Sequence, residues 1–455
     1  MKLTRLGQLI IIAALLAAAY FSIRRFAPGL KDEIAPLLES DPPEATPAAA
    51  GSGAAGATAD CSDLPEVRFF HPIWNAQMGI LYAVGGKQAT KGSPMCRSGV
   101  NLKLVREDDT DILRAALVTF ADKLASGEPD PAEGAPFVAI SGDGAAVFLK
   151  QVNDGIRRFG PGYQARIVGS AGYSRGEDKF MGPPGWKEDP ASARGGLVAG
   201  VLYEGGWNLA QKWLRDNAVC NNPDERTYDR NCLNWARNWS PLDAAKRYVD
   251  GHCELRAVID QGRLVGDKRK VCVDAVVTRT PGDVTVAKNK GGLVPIISSE
   301  DDISQMPNVI VGIDRWMRSH RATVESMLSA IFEGSYQVRV NGGVFHRASE
   351  ISVEVYGEPG ADTNYWLGYY MGVNERDRTG LNVALGGSAV STLKDNVRLF
   401  GLEPGSPNLF GETYRMFGDL AVQQYPDLIP DYPPVSEILD TSYIEAIARS
   451  APLTP

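Results

Sequence analysis

One pattern recurs along this chain and limits what it can become: a short apolar run, a turn of glycine or polar residues, then a helical pattern. Its clearest copy is residues 195–213, GGLVAGVLYEGGWNLAQKW. Residues 197–203 have the length and composition of a strand buried on both faces. Gly205 and Gly206 predict a turn that uses glycine's access to positive φ, and Leu209, Ala210 and Trp213 begin a helix. Trp207 and Asn208 then fall at the carboxyl end of a strand, where open α/β sheets bind ligands. The unit returns with Trp74 and Asn75 at its turn, with Ser141 and Asp143, with Ser170 and Tyr173, and with Thr280. Strands joined by helical crossovers form parallel sheets and collect their turns on one edge. The expected class is therefore α/β, with sheets flanked by helices.

At 455 residues the chain is too long for one ordinary core, so two lobes are expected. It is 44% hydrophobic and 22% charged, as a folded globular protein is. A formal net charge of −8 does not invite a polyanion, which argues against nucleic acid as a partner. The six cysteines, Cys61, Cys96, Cys220, Cys232, Cys253 and Cys272, contain no CxxC pair. They read as three disulfides of an exported domain, against an alternative of buried free thiols. The economical pairing joins neighbours in sequence, Cys61 with Cys96, Cys220 with Cys232 and Cys253 with Cys272, but six cysteines allow about fifteen pairings. With four histidines and no ligand spacing, no metal site or cofactor is expected.

Residues 6–23 form an uncharged apolar run of roughly bilayer-spanning length, flanked by Lys2 and Arg5 before it and Arg24 and Arg25 after it. It reads as an uncleaved N-terminal membrane anchor. A cleaved signal ending at the small residues Ala17, Ala18 and Ala19 is the alternative. Residues 41–60, rich in Pro, Ala and Gly, read as a stalk. Their GSGAAG matches a dinucleotide fingerprint but lies in this linker, without the strand and helix that the motif needs. The acidic run at 106–111, REDDTD, reads as the charged first turn of a helix, which the helix dipole favours. GYSRG at 172–176 matches a serine-hydrolase elbow. The elbow needs a helix directly after the serine, and EDKFMGPPGW forms loops instead, so an enzyme is not the expected reading.

Several longer segments carry a family resemblance: VNLKLVREDD at 100–109, the 195–213 stretch, VDAVVTRTPGDVTVAKNKGGL at 273–293, QMPNVIVGIDRW at 305–316 and VALGGSAVSTLKDNVRLFGL at 383–402. In these the chain resembles the periplasmic substrate-binding proteins of ABC transporters, nearest the taurine, nitrate and aliphatic-sulfonate receptors, in a membrane-anchored form. The 220–241 insert is longer than that pattern expects. The resemblance implies the type II fold of two α/β lobes around a cleft. The corresponding division is an anchor or signal at 1–38, a linker at 39–60, a first lobe at 61–164, a second lobe at 165–297, and a return with C-terminal helices at 298–455. It also implies an extracytoplasmic body, a small polar or anionic ligand, and an ABC permease as partner. Its strand-end loops nominate Trp74, Asn75, Ser141, Asp143, Ser170, Tyr173, Arg175, Trp207, Asn208 and Thr280 as ligand-binding. Arg279 stands beside them as a second arginine able to pair an anion. A scaffold or sensor that keeps the fold without transport is the alternative.

Overall fold

A computed structural model of the protein describes residues 61–260, 262–301 and 306–450. The apolar run at 6–23, the stalk and its GSGAAG lie outside the described residues. Among the described residues, no helix is long and apolar enough to cross a membrane.

The chain first lays down four strands: β1 (Glu66–His71), β2 (Asn101–Arg106), β3 (Phe137–Ser141) and β4 (Ala165–Ser174). It then builds β5 (Lys179–Gly182), β6 (Leu197–Gly200), β7 (Cys220–Asn221), β8 (Thr227–Asp229), β9 (Cys232–Arg237), β10 (Cys253–Asp260), β11 (Arg263–Cys272), β12 (Ala275–Thr278) and β13 (Val294–Ser298). It returns through β14 (Met306–Ile313) and closes with β15 (Val373–Arg376), β16 (Asn382–Leu385) and β17 (Ser388–Val390). The first six-stranded sheet has the order β17-β4-β14-β3-β1-β2 and the second β13-β5-β12-β6-β9-β7. β8, β10 and β11 form a small sheet of their own, and β15 and β16 a ribbon.

Both large sheets are mixed. β1 runs parallel to β2 and β3, whereas β14 lies antiparallel between β3 and β4. A strand that comes back from the second lobe enters its sheet from the opposite end, which sets that direction. Every residue of β14 is buried, as a central strand covered on both faces requires. The strand beginning at Ala165, which the sequence reading assigns to the second lobe, belongs to the first sheet. The crossing lies in the short segment between Ser174 and Lys179, since β5 already pairs with β12 and β13 of the second sheet.

The opening motif is realised with a different use of its glycines. β6 stops at Gly200, and the left-handed residue of the turn is Tyr203, at φ 68°. Gly205 and Gly206 are the first two residues of the helix Gly205–Asp216. A Cβ on Gly205 would stand 2.5 Å from Asp143 Oδ1 and 2.9 Å from Ser141 Cβ. These glycines serve the close approach of the helix to the first lobe, and the strain of the turn falls on a tyrosine.

Three disulfides join Cys61 to Cys96, Cys220 to Cys232 and Cys253 to Cys272. The second links β7 to β9, and the third closes the base of the β10–β11 hairpin. Such bonds fit an oxidising, extracytoplasmic setting. The acidic run acts as a helix start, with the Asp109 carboxylate accepting from the Asp111 amide ahead of the helix Thr110–Ala125.

Helix Leu409–Gln424 connects the lobes. Its Ala421 packs with Val147 of the first-lobe helix Ala145–Ile156. At its end Tyr425 lies 5.2 Å, ring to ring, from Trp207 and 5.1 Å from Tyr203 of the second lobe. Asn221 Nδ2 donates to Gln424 Oε1 at 3.2 Å.

Candidate functional site

The carboxyl ends of β1, β3, β6 and β12 point at a shared seam. Residues that follow β1 and β3 bring in Trp74, Asn75, Ser141 and Asp143. Residues that follow β6 and β12 bring in Glu204, Asn208 and Arg279. The Asn208 amide donates across the seam to the Asp143 carbonyl at 2.8 Å. Trp74, from the first lobe, belongs to the same apolar cluster as Trp207, Phe180 and Trp235 of the second. Trp74 and Trp207 therefore share one apolar cluster, while Asn208 bonds the backbone of Asp143 rather than Asn75. Two small cavities, of about 20 and 10 Å³, lie along the seam among the described residues, the first beside Ser141 and Glu204, the second between Asp178 and Trp207.

Arg279 is the centre of this seam, with 2% of its surface exposed. Its guanidinium lies over the Trp74 ring, 5.2 Å from the centroid. It reaches Ser141 Oγ at 3.5 Å, Glu204 Oε1 at 3.3 Å and Asp178 Oδ1 at 3.7 Å. Its Nε has no partner among the described residues. Four acids stand near it: Asp143, Glu177 and Asp178 are buried, and Glu204, which is partly exposed, also faces Arg114. Burial first, then the neighbouring Asp178 and Glu204, push the Asp143 carboxyl well above the ordinary range. Burial and Asp178 do the same to Glu177. Burial raises Asp178 to about 6 against the pull of Arg279. One oxygen of each of these three carboxylates lacks a hydrogen-bond partner, as do the Trp74 indole nitrogen and both amide atoms of Asn75. Buried polar groups in folded proteins are normally paired, so such a concentration marks a site.

A second buried pair, Lys179–Asp283 at 2.8 Å, contrasts with it. Lys179 also donates to the Ala384 carbonyl, and Asp283 accepts from Gly386 N, Thr280 Oγ1 and Val284 N. This pair is fully satisfied and holds the crossing segments together.

The nominated residues separate accordingly. Trp74, Asn75, Ser141, Asp143 and Asn208 lie on or beside the seam. Trp207 lines its smaller cavity, yet its ring is held by Tyr203, Trp235 and Tyr425 as core. Thr280 is turned to Asp283. Ser170 lies inside the first lobe: its hydroxyl donates to the Gly172 carbonyl at 2.9 Å, and its backbone is bonded by Asn396. Tyr173 pairs in β4 with Pro307 and Ala389, away from the seam. Arg175 is exposed, donating to the Ser388 and Met371 carbonyls beside a separate groove of about 580 Å³. Ser170 and Tyr173 lie within β4 and Arg175 follows it, and the contacts of these three are with other parts of the first sheet and its neighbours. Ser174 of the hydrolase-like GYSRG leads into another strand, not a helix; its hydroxyl bonds Ser299 at 2.6 Å and accepts from the Asp178 amide. Missed by the sequence reading are Glu177, Asp178 and Glu204. The signal for the first two was the dense charge of RGEDK at the crossing.

No protein-family model matches the sequence, and no curated protein does. Among solved structures, the periplasmic aliphatic sulphonate binding protein of Escherichia coli aligns with TM-score 0.50 and 11% identity over 83% of this chain and 92% of that one. A periplasmic sulfonate-binding protein from Methylobacillus flagellatus KT aligns with TM-score 0.50 and 10% identity over 85% of this chain and 95% of the other. At these identities the likeness is one of architecture. Two mixed sheets, strand ends meeting at one seam and a strand returning antiparallel into the first sheet give this chain the two-lobed fold of the periplasmic substrate-binding proteins of ABC transporters.

Proposed function

We propose that this chain is an extracytoplasmic solute-binding protein that holds a small polar solute between its lobes for ABC-type uptake or sensing, and is not an enzyme. The observation that supports this best is the seam itself. Strand ends from both sheets converge on a buried polar cluster whose Asn75, Asp143 and Asp178 atoms are left without partners. Fixed polar groups on a mostly apolar wall are what a small-molecule site needs. In this reading residues 6–23 tether the protein to the inner membrane, the stalk gives it reach, and an ABC permease receives the solute. The lobes would divide at the segments before β5 and before β14, with Arg279, Ser141, Asp143 and Asn208 meeting the solute.

The test is a thermal-unfolding screen of the full chain against amino acids, amines, sulfonates and inorganic anions. A ligand that binds only the native state raises the midpoint. The expected result is a stabilising solute whose effect is lost in Asn208→Ala. A screen without any hit would sink the reading.

One observation favours a second reading, a scaffold or sensor that keeps the fold. The seam is filled by the protein's own side chains, and helix Leu409–Gln424 holds both lobes. Under that reading no solute changes the melting curve, while loss of this helix's contacts does.

A further inference from the structure

Arg279 makes contacts that resemble those of a bound ligand more than those of a structural ion pair. Its nearest carboxylate oxygens lie at 3.3 and 3.7 Å. Charge-assisted N–H···O bonds close to about 2.7–2.9 Å, the distance that Lys179–Asp283 does reach. The guanidinium is in effect a cation laid on an indole face, with carboxylates around its edge and one nitrogen unused. That combination of aromatic face and acid recognises organic cations. Asp178 and Glu204 stand at the edge of the guanidinium, Lys179 is committed to Asp283, and Glu204 also faces Arg114 across the adjoining cavity. No group of three or more acid, histidine or cysteine side chains among the described residues is arranged to hold a metal ion.

We propose that the ligand of this cleft is a small organic cation, a guanidinium or primary-ammonium compound, which seats on the Trp74 face among Asp143, Asp178 and Glu204 in the place that Arg279 fills. The inference rests on the solute-binding reading and names its ligand class. Arg279 then acts as a built-in surrogate that keeps the seam closed and is displaced as the lobes part. The two cavities described beside it, of about 20 and 10 Å³, are too small for such a cation, so the proposal has displacement accompany entry.

Tryptophan fluorescence and thermal unfolding of the full chain test this. The cation probes are methylguanidinium, agmatine and putrescine as chlorides at low millimolar concentration. Potassium sulfate, nitrate and methanesulfonate are the anion probes. The wild type is expected to be stabilised by at least one cation and by none of the anions. Arg279→Ala should bind methylguanidinium about tenfold or more tightly than the wild type, since the surrogate is gone. Should Arg279→Ala fail to fold, Glu204→Gln carries the test: cation affinity is expected to fall about tenfold. An anion that binds the wild type and is lost in Arg279→Ala would overturn the cation assignment and leave the solute-binding reading standing. Unchanged cation affinity in Glu204→Gln would also overturn it. Silence from both probe classes in the wild type and Arg279→Ala would overturn it too, and the broader solute screen then decides whether the solute-binding reading survives.

Discussion

Asp178 and Asp283 are two buried aspartates with opposite roles. Asp283 is matched by Lys179 and three further donors, so its charge belongs to the fold. Asp283→Ala leaves Lys179 buried without a counter-charge and is expected to cost about 3–5 kcal/mol in denaturant unfolding. Asp178 is raised to about 6, above its ordinary value of 3.8. The native state therefore holds a proton between roughly pH 4 and 6 that the unfolded chain has lost. The stability from this group is present at low pH and disappears as pH rises through 6. The shift corresponds to about 3 kcal/mol at most. Asp178→Asn, which mimics the protonated carboxyl, should remove this slope. Its melting point should change less than the wild type's between about pH 5 and 7.5, with an equal or higher value at the upper end. A steeper dependence in the variant would contradict the burial argument. Gly205→Ala should lower stability as well, because the new methyl meets the Asp143 carboxylate and Ser141. It should not do so through φ, since the positive φ of that turn is at Tyr203.

At the scale of elements, three devices hold the pieces in register. The first is β14, whose full burial makes it the keystone of the first sheet. The second is the Cys61–Cys96 bond, which closes a segment with a sequence separation of 35. By chain entropy its removal as Cys61→Ser with Cys96→Ser is expected to cost about 3–4 kcal/mol in equilibrium unfolding. The third is helix Leu409–Gln424. Its junction with the second lobe is the Tyr425 ring against Trp207 and Tyr203. Tyr425→Ala removes a buried aromatic and should destabilise by about 3–5 kcal/mol. Small-angle scattering should also show a larger radius of gyration, since the lobes lose a shared strap. An unchanged radius would mean that the seam alone keeps them together. The strand and helix units behind these devices were visible in the sequence, because alternation of apolar runs with helical periodicity is local. The strap was not: Leu409–Gln424 reads as one more amphipathic helix, and nothing local says that its two sides touch different lobes.

At the scale of the whole molecule, the cysteine pairing, open among alternatives in the sequence, was decided by the fold, while the sequence by itself determined the α/β class and the alternation of strands and helices. It also placed Trp74, Ser141, Asp143 and Asn208 at strand ends, where cleft residues belong. All of these follow from composition and short-range pattern. Tertiary structure alone decided which sheet takes the strand from Ala165, because strand pairing is a long-range choice with no local mark. It alone decided that Arg279, Asp143, Asp178 and Glu204, far apart in sequence, share one buried seam. The sign and balance of charge at a site depend on what is brought together out of water. The family resemblance implied a polar or anionic ligand; the acids gathered beside Arg279 and Trp74 are what the cation proposal rests on.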